Sequence, residues 1–177
     1  ENIRKKLQVK TDDVVFLFVG RLDLDKGIGE LLEAYSKLFE SIDGTSLLLV
    51  GPSETEVEDL KALVSPVCLK SIHFLPYSSS PEFYMAAADV FCLPSYREGF
   101  GTVIIESAAC GIPAVGTKIY GLSDSIVDCQ TGFLVNVGDV VSLRNTMHNL
   151  ATDKQLRLRL GNSARLRARE LFDQQIV

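Results

Sequence analysis

The sequence predicts an α/β fold, a Rossmann-like three-layer αβα arrangement in which a parallel sheet of about six strands lies between two layers of helices. Three observations carry that expectation. Short, almost wholly apolar runs recur along the chain, segments of helical periodicity alternate with them, and Gly or Pro closes most of the runs. A strand that is apolar at every position is buried on both faces, which is the condition of a parallel sheet covered by helices.

In chain order, Ile3 and Leu7 read as the end of a helix. Residues 14–19 (VVFLFV) are the first strand, closed by Gly20, and a polar loop runs from Arg21 to Lys26 before Gly27. Across residues 28–39, Leu31, Leu32, Ala34, Tyr35, Leu38 and Phe39 recur at helical spacing. Asp43-Gly44 is a turn, residues 46–50 (SLLLV) are the second strand, and Gly51-Pro52 ends it. Ser53 is placed to cap a helix running through Leu60 to about Val64, with Glu54, Glu56, Glu58 and Asp59 in its early turns. Residues 71–75 are the third strand, stopped by Pro76. Ser80-Pro81 opens a short helix ending near Ala88, with Phe83, Tyr84 and Met85 as its packing residues. Residues 89–93 form the fourth strand, 102–110 a helix of small residues ended by Gly111, 112–115 the fifth strand and 133–135 a short sixth. Helices over 140–151 and 153–172 complete the chain, with Gly161 marking a break or kink in the second. Crossovers in such a sheet are right-handed, and ligands bind outside the carboxyl ends of the strands. The informative loops are therefore those after Val19, Leu75, Leu93 and Val115.

The 177 residues match one domain, on a scale of about 100–200 residues per domain. With 46% hydrophobic and 23% charged residues, the composition is that of a soluble globular protein. A net charge of −5 speaks against general nucleic-acid binding, while leaving room for a local basic pocket for phosphate. The four cysteines (Cys68, Cys92, Cys110, Cys129) form no Cys-x-x-Cys pair, and His73 and His148 are isolated, so metal-ligand spacing is missing. The cysteines read as small buried apolar residues of a reducing compartment. Neither a membrane-spanning run nor a signal-peptide pattern is present in the sequence given. The chain opens on Glu1, which suggests an excised fragment. The arginines at 157, 159, 165, 167 and 169 read as a solvated face, with contact to anionic lipid as the minority alternative.

Glu98-Gly99-Phe100-Gly101-Thr102 comes after a strand and opens a helix. The glycines let backbone approach a ligand, and the unpaired N–H groups at the helix start favour an anion, most often a phosphate. The competing reading is a tight turn with Thr102 as N-cap. Glu106 stands in an otherwise apolar or small stretch, four residues after Thr102 and on its face, one position too late for a capping box. Its side chain should lean toward the start of the helix, where a carboxylate accepts bonds from neighbouring sugar hydroxyls. Glu98 either faces the cleft or is an exposed loop acid. Arg21 and Lys26 flank the loop after the first strand, where two cations neutralise a diphosphate, or else are solvated surface charges. That loop lacks G-x-G-x-x-G.

With seven residues between Glu98 and Glu106, EGFGTVIIESAACGIPAV resembles the signature of glycosyltransferase family 4. ADVFCLPSYREGFG (residues 88–101), FVGRLDLDKGIGELLEAY (18–35) and IHFLPYSSSPEFYMAAADV (72–90) are similar to the same family, and the likeness extends over about residues 14–172. The resemblance implies the C-terminal, donor-binding half of a two-domain GT-B enzyme, with residues 1–177 as one nucleotide-sugar-binding domain and the N-terminal acceptor domain lying outside this chain. It implies that Arg21 and Lys26 bind the donor diphosphate and stabilise it as it leaves, and that Glu98 bonds the donor sugar. By the same resemblance, Gly20, Gly99, Phe100, Gly101, Thr102 and Val103 meet sugar and phosphate, Glu106 holds the ribose, and Pro76, Tyr77 and Ser78 hold the nucleobase. Two departures stand out. Many members carry Gly-Gly and then Glu where this chain has Tyr120-Gly121 and Asp124, and many carry Gly in place of Pro76.

The activity that the resemblance implies is that of a retaining, metal-independent glycosyltransferase without a cofactor. Such an enzyme moves a sugar from a nucleotide-diphosphate sugar, UDP-sugar favoured, to a glycan or lipid-linked acceptor, with no nucleic-acid partner. The expected location is cytoplasmic, or peripheral at the inner face of the membrane for the full-length protein, and the isolated domain is expected to be inactive. Two alternatives stay open: the donor half of a nucleotide-sugar epimerase, which calls for a histidine and acids in the cleft, and a non-catalytic nucleotide-sugar-binding module.

Overall fold

The computed structural model describes residues 3–53 and 56–172. Helix α1 (Ile3–Lys6) leads into β1 (Val14–Val19), a 3-10 turn (Leu24–Lys26), α2 (Ile28–Phe39), β2 (Thr45–Val50), α3 (Val57–Lys61), α4 (Pro66–Leu69), β3 (Ile72–Leu75), α5 (Glu82–Met85) and β4 (Val90–Leu93). Then come α6 (Thr102–Ala109), β5 (Ala114–Thr117), α7 (Tyr120–Ser125), β6 (Gly132–Val135), α8 (Val140–Thr152) and α9 (Lys154–Phe172).

The strands form one six-stranded sheet in the order β3-β2-β1-β4-β5-β6, every pair parallel. The chain first builds outward from β1 to β3, then crosses back to lay β4 against the other side of β1. Right-handed crossovers running in opposite directions put α2 and α6 on opposite faces. Each face is completed by a late helix, α8 packing on α2 and α9 on α6. The expected fold class holds.

The burial follows the composition of the strands. Phe16, Leu17, Phe18, Leu47, Leu49, Phe91 and Cys92 are sealed from solvent at the centre of the sheet, with Leu31, Leu32, Tyr35 and Leu38 of α2 above them. Each large apolar side chain so buried contributes roughly 1.5–3 kcal/mol.

Several expectations need correction. The fifth strand starts at Ala114, not at residue 112, because its pairing with β6 begins at Ala114↔Gly132 and Ile112 still closes the α6 turn through its N–H to Ser107 O. The helix after β2 begins with Glu56 as N-cap and spans only Val57–Lys61, so Ser53 does not cap it; Glu54 lies outside the described residues. Helix α5 ends at Met85, because the Ala87 and Ala88 N–H groups tighten to three-residue bonds onto Tyr84 and Met85 and deliver Asp89 N–H to Val15 O. Met85 is buried and Tyr84 packs on the core, but Phe83 is exposed.

Helices α4 and α7 were not expected; Ser65, whose hydroxyl accepts from Cys68 N–H, followed by Pro66, was the available signal for α4. Asp153 caps α9 by accepting from Leu156 N–H at 2.9 Å instead of opening the helix. Gly161 does not break α9: a Cβ there would stand 2.1 Å from Gly111 O, so this glycine exists to let α9 approach the loop after α6. Of the four cysteines only Cys68 and Cys92 are buried, Cys110 and Cys129 being exposed. Nor are all five late arginines merely solvated: Arg157 donates to Leu150 O and Ala151 O at the end of α8, and Arg167 donates to Asp124 O.

Candidate functional site

In a sheet of this order the switch point lies between β1 and β4, where neighbouring crossovers leave in opposite directions and open a crevice at the strand ends. The loops after β1 and β4 meet there. Gly27, at φ 70°, ends the 3-10 turn in a left-handed conformation, and a Cβ on it would stand 2.1 Å from Pro94 O. Only glycine satisfies both demands, so the β1 loop rests directly on the exit of β4. The contact is reinforced by Tyr96 N–H donating to Asp25 O at 2.8 Å and by the Tyr96 hydroxyl donating to Glu30.

This approach brings two oppositely charged groups together. Lys26 Nζ donates to Glu98 Oε1 at 2.8 Å, and the Ser95 hydroxyl donates to the same oxygen at 2.9 Å. The side chains are 18% and 15% exposed, so the pair is largely withdrawn from water and keeps more of its Coulomb attraction than a surface pair. Ser95 is itself fixed, because the Thr117 hydroxyl at the end of β5 donates to Ser95 O. Arg21 is more open, with 49% of its side chain exposed; its Nε lies 3.2 Å from Asp23 Oδ2 and an Nη lies 4.0 Å from Asp25 Oδ2.

The second half of the site is the start of α6. Gly101 is its N-cap, at φ 66°, so Thr102 is the first helical residue and not the cap. Gly99, Phe100 and Thr102 are exposed, Gly101 is buried and Val103 half-buried. Phe100 packs edge-on against Phe172 with centroids 5.7 Å apart, tying the loop to the end of α9. On the other side, a Cβ on Gly121 would fall 2.3 Å from Gly99 O and 2.5 Å from Glu98 O, so α7 supports the loop by backbone contact. Glu106 is exposed on the face of α6 that also carries Thr102. Its neighbours in sequence are apolar, but Ile104, Ser107 and Ala108 take the buried face of the helix and leave Glu106 in solvent.

The structure thus pairs Lys26 with Glu98 across the loops after β1 and β4, and sets Arg21, which follows Gly20 on the same β1 loop, against Asp23 and Asp25; the segment from Gly99 to Val103 continues the β4 loop into α6. Pro76, Tyr77 and Ser78 sit at the exit of β3, two strands from β1. Pro76 and Tyr77 are exposed there, and Ser78 Oγ accepts locally from Ser80 N–H at 3.2 Å. His73, on β3, is half-buried, and desolvation lowers its pKa below the ordinary histidine range. Among the described residues no group of three or more His, Cys, Asp or Glu side chains is placed to hold a metal ion, and no helix is long and apolar enough to cross a membrane.

Four residues of the cluster escaped the reading of the sequence: Asp23 and Asp25 beside Arg21, Ser95 beneath Glu98, and Tyr96 bridging to Glu30. The acids were legible as neighbours of Arg21 two and four positions on. Ser95 and Tyr96 carried no signal, since their partners include residues of other elements.

Residues 1–167 match the family described as glycosyl transferases group 1. The capsular polysaccharide biosynthesis glycosyltransferase CapM of Staphylococcus aureus is 32% identical over 167 residues, a match covering 94% of this chain and 44% of CapM. The D-inositol 3-phosphate glycosyltransferase of Corynebacterium efficiens is 34% identical, covering 93% of this chain and 41% of that protein. Among solved structures, Anabaena HepE in complex with UDP and glucose superposes with a TM-score of 0.88 at 27% identity, covering 98% of this chain and 49% of HepE. The chain spans less than half the length of each of these relatives. With the parallel sheet, the crevice at its switch point and the match along nearly its whole length, the chain belongs to the family of glycosyl transferases group 1.

Proposed function

We propose that this chain is the donor-binding domain of a retaining, metal-independent glycosyltransferase that takes a sugar from a nucleotide-diphosphate sugar, with UDP-sugar favoured, and passes it to a glycan or lipid-linked acceptor. The acceptor is bound by a further domain of the same protein, which works at the cytoplasmic side. The observation that carries the reading is the Lys26–Glu98 pair across the switch-point crevice, with Arg21 on the same loop as Lys26 and the start of α6 following Glu98. A diphosphate in that crevice meets two cations and the N–H groups of a helix start, which together answer the charge that develops as it leaves. Glu98, its Oε1 already held by Lys26 and Ser95, has Oε2 for a sugar hydroxyl. Glu106, exposed on α6, takes the ribose hydroxyls, and the segment from Pro76 to Ser78 takes the base. HepE, whose complex contains UDP and glucose, supports the choice of uridine.

The test is a calorimetric titration of the protein with UDP, GDP and ADP, repeated on Glu106→Ala. Selective binding of one nucleotide, weakened about tenfold by the substitution, which is about 1.4 kcal/mol, supports the reading. Absence of binding by all three at millimolar concentration, in this chain and in the full-length protein, sinks it.

A further inference from the structure

The cluster contains a buried carboxylate, Asp23, that the proposed donor site does not use. Asp23 is only 9% exposed, and neither of its carboxylate oxygens accepts a hydrogen bond among the described residues. It precedes the 3-10 turn Leu24–Lys26 at the N-cap position, yet its side chain makes no capping bond. A carboxylate withdrawn from water and denied hydrogen bonds is costly unless a charge faces it. The charge that faces it is Arg21, whose Nε lies 3.2 Å from Oδ2 in an ion pair that is not a hydrogen bond.

The two partners are unequal. Asp23 is anchored in the loop, whereas the side chain of Arg21 is 49% exposed. A guanidinium carries five N–H donors in one plane, so an anion on its Nε edge fixes the plane while the terminal nitrogens can meet a second anion. We propose that Asp23 is a positioning residue for Arg21: it holds the Nε edge of the guanidinium from below, so that the terminal nitrogens face the crevice and the donor diphosphate. Asp25, 4.0 Å from a terminal nitrogen, is the weaker and more exposed neighbour, which the diphosphate displaces. Asp23 itself touches no substrate. The inference rests on Arg21 being a diphosphate ligand, as proposed above.

The experiment is a titration of wild type, Arg21→Ala, Asp23→Asn and the double variant with UDP and, separately, with uridine, which lacks the diphosphate. Arg21→Ala should weaken UDP about tenfold and Asp23→Asn about three- to fivefold, each leaving uridine unchanged, with Asp23→Asn adding nothing once Arg21 is alanine. Asp23→Ser provides the same comparison should the asparagine variant fail to fold. Wild-type UDP affinity in Asp23→Asn, alongside weakened binding in Arg21→Ala, overturns the positioning role and leaves the donor-site reading intact. Equal losses for UDP and uridine, or a further loss in the Arg21→Ala background, assign Asp23 to folding alone and also overturn it. An unchanged UDP affinity in Arg21→Ala overturns the underlying reading of Arg21, and the proposal with it.

Discussion

Lys26 Nζ lies 2.8 Å from Glu98 Oε1, so a residue of the loop after β1 and a residue of the loop after β4 close on each other across the point where the strand order reverses. The two are separated by 72 positions in sequence. Their meeting depends on Gly27 lying against Pro94 O and on Ser95 holding the carboxylate from beneath.

Removing either member of this pair leaves a largely buried charge unmatched and takes one group from the proposed donor site. If the proposed activity holds, Lys26→Ala and Glu98→Gln should each lower kcat/KM of the full-length protein for the proposed nucleotide-sugar donor by roughly 100-fold or more, the scale of losing one preorganised charge-stabilising group. Steady-state transfer or donor-hydrolysis assays read this directly. Rates within threefold of wild type for both variants would remove the pair from the mechanism.

Glu106→Ala should separate binding from stability. The side chain is exposed, so thermal unfolding should stay within about a degree or two of wild type, surface substitutions costing at most ~0.5 kcal/mol. UDP affinity should nonetheless fall about tenfold. A drop in Tm with unchanged affinity would make Glu106 a helix residue and nothing more.

Gly27→Ala tests the joint between the two loops. The residue sits at φ 70°, and the added Cβ would meet Pro94 O at 2.1 Å. The loops must part, at a cost of about 1–3 kcal/mol. Urea denaturation should show a lowered midpoint, and UDP binding should weaken with it because Lys26 and Glu98 move apart. Gly29→Ala, where a Cβ meets open space, is the matched control.

Tyr35 gives an alkaline signature unrelated to the site. Desolvation pushes its phenol from 10.0 up to about 12, outweighing the lowering contributed by Ser71, to which the hydroxyl donates at 2.9 Å, and by Thr45. A group whose pKa rises on folding contributes stability that is fully present below its unfolded value and is lost as pH climbs toward the folded one. Stability should therefore fall between pH 10 and about 12 through this residue. Tyr35→Phe should flatten that part of the decline and cost about 1 kcal/mol at neutral pH. The cost is modest because Ser71 keeps its own bond to Cys68 O. Denaturant midpoints across pH for the two proteins check both points.

The sequence by itself determined the parallel α/β architecture, because short strands such as VVFLFV and SLLLV, apolar at nearly every position and bounded by Gly or Pro, alternate with segments of helical periodicity, the pattern of a sheet covered on both faces. It also marked Arg21, Lys26, Glu98 and Glu106, since charges at strand ends and at a helix start are local features. It did not determine α7, whose residues carry no strong helix signal. Nor did it disclose that Gly161 is a packing residue, that Cys110 and Cys129 are exposed, or that Glu106 faces solvent. Only the tertiary structure decided which charges pair. Lys26 has acidic neighbours close in sequence, and its actual partner is Glu98, because strand order brings distant loops together while the backbone separates nearby ones. The burial of Asp23 is of the same kind. A periodic pattern records which face of an element is apolar, whereas the solvation of a loop carboxylate depends on every element packed around it.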